Sequence, residues 1–147
     1  MQYRSQRDPA SAMVRLGASN LTVGRYGCTT TCISMLSDYF KCFRRPDEIA
    51  RNAANYTPDG LVNWSKLRFP SFSVSKRTYA EDKAAIIAAA KDPKQAVILQ
   101  VDGFHWVVCV GKALLRDDWV IIDPWDGKKK NLKSAYKAVT GAAFFTR

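Results

Sequence analysis

The second half of the chain carries three short runs, "QAVILQV" (95–101), "HWVVCVG" (105–111) and "WVIID" (119–123), rich in β-branched and aromatic residues. The links between them, Asp102-Gly103 and "KALLRDD", are turn-forming and short, so the spacing predicts consecutive antiparallel strands. "GAAFFTR" adds a final strand, and "SFSVSKRTY" alternates apolar and polar residues as an earlier one. The first half reads differently. Residues 28 to 42 place Cys28, Cys32, Leu36, Tyr39 and Phe40 at helical spacing, with Ser34, Ser37, Asp38 and Lys41 on other faces. Pro46 with Asp47 and Glu48 opens a second helix that should fade near Asn55, and "TPDGLVNWSKL" suggests a helical turn. "EDKAAIIAAAKD", alanine-rich and ending before Pro93, predicts another helix. Helices followed by an antiparallel sheet make an α+β arrangement, with the first helix packed on the sheet.

At 147 residues the expectation is one domain spanning 1–147, large enough to bury a core without disulfides or metal. No run is long enough to cross a membrane. The polar opening, "MQYRSQRDPASAMVRLG", is unlike a secretory signal, so synthesis in the cytoplasm and reduced thiols are expected. Cys28, Cys32, Cys42 and Cys109 form no C-x-x-C pair, and with His105 as the sole histidine they show no metal-ligand spacing. No metal and no cofactor is expected, and the chain is expected to be a monomer.

The formal charge is +10, and no acid follows Asp126, whereas Lys128, Lys129, Lys130, Lys133, Lys137 and Arg147 do. Such a balance predicts attraction to polyanions: nucleic acid, anionic lipid or acidic cell-wall polymers. "GKKKNLK" reads equally as a solvated loop or as an anion-binding surface formed by Lys128, Lys129 and Lys130. No sequence-specific nucleic-acid motif accompanies the charge.

Three residues stand where cysteine chemistry would need them. Cys28 follows Gly27 in the first turn of the predicted helix, where unpaired N–H groups favour a thiolate; the alternative is a buried structural cysteine. His105 opens a strand, as a base or as a satisfied core or edge residue. Asp123 ends the next strand, which an antiparallel hairpin brings beside the start of the previous one; its alternative is a turn acid before Pro124.

"GCTTTCISML", "AVILQVDGFHWVVCVG" and "WVIIDPWDG", taken in that order, resemble the papain-like cysteine peptidases related to the bacteriocin-leader peptidases, including stand-alone bacterial and phage members. The resemblance runs from about Gln6 to Gly127. It implies Cys28 as nucleophile, His105 as general base and Asp123 as the residue orienting His105. Relatives also use an upstream glutamine to bind the oxyanion. In transporter-linked members it stands a few residues before the cysteine, where this chain has Thr22; Gln6, in "YRSQRDP", matches the Q-x-D-P opening of some stand-alone relatives. Tyr26, Trp106 and Trp125 flank the implied triad as substrate-cleft or core residues. The resemblance and the charge together point to hydrolysis of peptidoglycan, as by an endolysin acting on the wall after release. Cleavage of proteins or leader peptides is the alternative, and an inactive polyanion-binding module is a third.

Overall fold

The computed structural model describes residues 1–147. Its strands are β1 (Ser73–Thr78), β2 (Gln95–Val101), β3 (His105–Lys112), β4 (Trp119–Asp123), β5 (Lys128–Asn131) and β6 (Val139–Thr146). They form one sheet in the order β1-β6-β2-β3-β4-β5, and every neighbouring pair is antiparallel. The hairpins β2–β3 and β3–β4 are those that the turn chemistry predicts. Between β2 and β3, Asp102 and Gly103 both take positive φ, 53° and 79°, a conformation that favours glycine.

Two features are absent from local sequence signals. The final strand β6 inserts between β1 and β2, pairing Ala96 with Phe145 on one side and Val74 with Phe145 on the other. The lysine run is also no free loop: Lys128–Asn131 pairs with β4 as an edge strand, where exposed lysines discourage further strand addition.

The helices are α1 (Val23–Tyr26), α2 (Cys28–Tyr39), α3 (Pro46–Arg51) and α4 (Lys83–Lys91). The α2 helix stops before residue 42 because Lys41 adopts a left-handed φ of 64°. Arg45 N–H donates to Glu48 at the start of α3, which ends at Arg51. A separate 3₁₀ turn, Ala53–Asn55, then follows, with Asn52 accepting from the Ala54 N–H. The Asp82 carboxylate caps α4 by accepting from the Ala85 N–H at 3.1 Å.

Alternation along the strands divides the core in two. On one face Ile98, Trp106, Val108, Ile122, Ala143 and Phe145 pack against Cys32, Ile33 and Leu36 of α2. On the other, Val97, Leu99, Val107, Cys109, Ile121 and Phe144 pack against Ile86 and Ala89 of α4. The sheet is therefore covered on both faces, where the sequence suggested only one helix against it. Phe145 is fully buried, and truncating it to alanine should cost about 3–5 kcal/mol.

Candidate active site

The α2 helix begins at Cys28 because the chain must pass close to α1 just before it. A Cβ on Gly27 would lie 2.5 Å from the Val23 carbonyl oxygen, so only glycine fits. The space that Gly27 leaves is thus filled by α1 rather than open to substrate. No side chain caps this end of α2. The first amide to bond back is Thr31 to Gly27, which leaves the N–H groups of Cys28, Thr29 and Thr30 without helical acceptors. They concentrate positive potential around the thiol.

His105 is the first residue of β3, paired with Val101. Asp123 reaches it through the register of the β3–β4 hairpin. Val108 faces Ile122 and Cys109 faces Ile121, but Gly111 faces Val120, so Val110 is an extra residue, a β-bulge. Continuing the inner register by one step puts Asp123 level with Val107, on the face that alternation assigns to His105. Without the bulge, the same strand would turn Asp123 to the opposite face. The outcome is a hydrogen bond of 2.8 Å between His105 Nε2 and Asp123 Oδ1. The remaining ring nitrogen, Nδ1, is left free of Asp123, and His105 stabilises the Cys28 thiolate electrostatically.

Asp123 is 1% exposed and fully engaged. Its Oδ1 also accepts from the Trp125 N–H at 2.9 Å, and its Oδ2 accepts from Lys130 Nζ at 3.1 Å and from the Tyr136 hydroxyl. The Tyr136 ring lies 5.2 Å from the His105 ring. Lys130 also bonds Asp126 at 2.9 Å, so it does not join Lys128 and Lys129 on the exposed surface. Sequence reading missed Tyr136 altogether and gave Lys130 a different role. The one available signal was strand parity, which sets Lys130 on the face of Asp123 once "KKKN" is recognised as a strand.

Electrostatically, burial opposes every charge here, and the partners outweigh it. For Cys28, burial works against the thiolate, but the hydrogen bond and positive charge of His105 bring its pKa below the ordinary thiol value. Burial likewise disfavours imidazolium, yet bonds to Asp123 and Cys28 raise His105 to about 9. Asp123 is held well below the usual carboxylate range, against its burial, chiefly by His105, Tyr136 and the Trp125 amide. All three shifts run toward thiolate, imidazolium and carboxylate. Cys32, one turn along α2, is the contrast: fully buried, it donates its S–H to the Trp106 carbonyl, and burial pushes its pKa far up.

The remaining expected residues divide. Gln6 is 2% exposed despite its place near the terminus. Its backbone N–H donates to the Pro124 carbonyl, and its Nε2 donates to Gly24 O at 3.2 Å, so it bridges the segments that follow Asp123 and precede Cys28. Its buried Oε1 has no partner. Tyr26 and Trp106 line a cleft of about 330 Å³ that includes Cys28, Leu61 and Phe104 and no charged side chain. Trp125 lies outside that cleft, with Arg7 stacked 4.4 Å over its ring.

A thiol at a helix start, an imidazole opening a strand and a carboxylate ending the next thus come together, and comparison with known proteins gives the family. No curated protein matches the chain in a sequence search. The model of the Peptidase C39 family matches residues 20–139, a span that holds Cys28, His105 and Asp123 but not Gln6. With most of its length covered by that match, the chain belongs to the Peptidase C39 family of cysteine peptidases.

Proposed function

We propose that the protein hydrolyses amide bonds of bacterial peptidoglycan through Cys28, His105 and Asp123. The observation that carries the chemistry is the His105–Asp123 hydrogen bond beside a thiol that His105 stabilises as thiolate and that opens on a cleft. The Cys28 thiolate attacks the carbonyl carbon, and the oxyanion is met by the Cys28 N–H and by Gln6, whose second amide N–H is not used by Gly24. His105 gives its proton to the leaving amine, leaving an acyl-enzyme. It then takes a proton from water as the water attacks the thioester, and Cys28 departs as thiolate. Asp123 keeps Nδ1 aimed at sulfur and stabilises imidazolium throughout.

Two observations support an acidic wall substrate. The net charge is +10. Beyond Thr29 and Trp106 the cleft continues into a groove that contains Arg77, which pairs with no acid in the protein and suits a substrate carboxylate. A second reading, cleavage of proteins or leader peptides, is favoured by the uncharged, largely apolar cleft immediately around Cys28.

Incubation with purified peptidoglycan and with unfolded proteins, followed by mass spectrometry of the products, separates the two. Wall fragments with new amino termini are expected. The rate on intact walls should fall between 0.1 M and 1 M salt as screening shortens from about 10 Å to about 3 Å, and Lys128→Gln with Lys129→Gln should reproduce part of that fall. Cleavage of proteins with walls left intact would establish the second reading. Retention on walls without cleavage of either substrate would instead mark an inactive binding module.

A further inference from the structure

We propose that Lys130 and Tyr136 are positioning residues for the Cys28–His105–Asp123 unit: they pin Asp123 Oδ2 so that Oδ1 faces His105, and Lys130, shared with Asp126, sets how much negative charge His105 meets. The inference rests on the triad reading given above. Its basis is that the two carboxylate oxygens have separate tasks. Oδ1 serves the imidazole and the Trp125 amide, and Oδ2 serves only Lys130 and Tyr136. A carboxylate pinned at both oxygens cannot rotate away from the imidazole when the histidine loses and regains its proton.

Charge acts on the imidazole separately from this pinning. Lys130 Nζ lies 3.1 Å from Asp123 and 2.9 Å from Asp126, with its side chain 22% exposed, so solvent screens this cluster only in part. The groups facing His105 are the Cys28 thiol from α2, Asp123 from β4 and the Tyr136 ring from the segment before β6. The groups facing Asp123 are His105, Lys130 from β5 and Tyr136, with Asp126 behind the lysine. Lys130 is the one lysine or arginine that bonds Asp123, and it opposes the support that this carboxylate gives to imidazolium. Asp126 takes up part of that opposition.

The test needs no substrate. Alkylation of Cys28 by iodoacetate, followed at the Cys28 peptide by mass spectrometry, depends on thiolate and also on imidazolium, which attracts the anionic reagent. Its rate should therefore fall on the alkaline side as His105 deprotonates. Lys130→Met should move that alkaline limb upward by roughly half a pH unit or more, since a cation is lost, and Lys130→Arg should restore it. Asp126→Asn should move it downward, because Lys130 then acts unopposed. Tyr136→Phe, which keeps the ring but frees Oδ2 of a donor, should move it upward by less than Lys130→Met. Opposite shifts for Lys130→Met and Asp126→Asn support the assignment. An unmoved limb in both, or shifts in the same direction, overturns it, and if Lys130→Met does not fold, the sign of the Asp126→Asn shift decides alone. The triad reading has a separate control: His105→Ala should abolish the bell-shaped profile, and a profile unchanged in that variant would defeat the triad rather than the positioning role.

Discussion

The two faces of the sheet each bury a cysteine to nearly the same degree, 8% exposed for Cys28 against α2 and 7% for Cys109 toward α4, and the two thiols behave oppositely. Burial pushes Cys109 up to about 12, with only a backbone bond toward Gly111 working against it. At Cys28 the same desolvation is overcome by His105. Burial is thus common to both, and the difference lies in what the far end of the sheet supplies. His105, Asp123 and Lys130 all have the strand parity of the α4 face, and Tyr136 packs there too. Cys28 comes from the α2 face. His105 joins them because it is the first residue of β3, where the sheet ends and the start of α2 can reach a side chain that belongs, by alternation, to the other side. Four positions further along the same strand, Cys109 has the same parity as His105 but lies under α4, out of reach of any acid or base.

The sharpest way to break this comparison is to delete each thiol in turn. Cys28→Ala should abolish turnover, a loss of at least roughly a thousandfold, while Cys109→Ala should retain activity within about a factor of two and lower only stability. Equal losses in the two variants would mean that both cysteines serve packing alone.

A smaller effect sharpens it by separating the thiol from the rest of the site. Gln6→Ala should lower turnover by roughly 100- to 1,000-fold if its amide meets the oxyanion. Alkylation of Cys28 by iodoacetamide forms no oxyanion, so its rate should stay unchanged. A parallel loss in both measurements would indicate that Gln6 acts by holding the thiol in place.

The smallest expected change is a displacement along the pH axis. His105 is raised to about 9, so turnover should fall as the pH rises through that value and the imidazolium is lost. Asp123→Asn removes the carboxylate that holds the proton on, and the alkaline limb should move down by roughly one unit or more. A limb that stays near pH 9 in Asp123→Asn would show that the carboxylate does not govern the imidazole. Cys109, pushed up to about 12 with no titrating partner, should contribute nothing to the profile near pH 9.

Much of the fold is local, and the chain states it directly. Hydrophobic periods fix α2, α4 and the strands β2, β3 and β4, and Asp102-Gly103 fixes the hairpin that presents His105, because helix period, strand alternation and turn dihedrals depend on residues close together in sequence. The order Cys28, His105, Asp123 was legible for the same reason: a helix start, a strand start and the end of the next strand are all local features. The contacts that turn this order into a site are not local. The place of β6 between β1 and β2, the reading of "KKKN" as an edge strand, the bulge at Val110 that carries Asp123 to the face of His105, and the packing of Gln6 between Pro124 and Gly24 all bring together residues distant in the chain. Lys130 shows the consequence most plainly. In the sequence it is one of three equivalent lysines; the pairing of β5 with β4 sets Lys128 and Lys130 on the face of Asp123 and Lys129 on the other, because alternation along a strand has no meaning until a partner strand defines the faces, and the contacts with Asp123 and Asp126 then decide that Lys130 is the one held there.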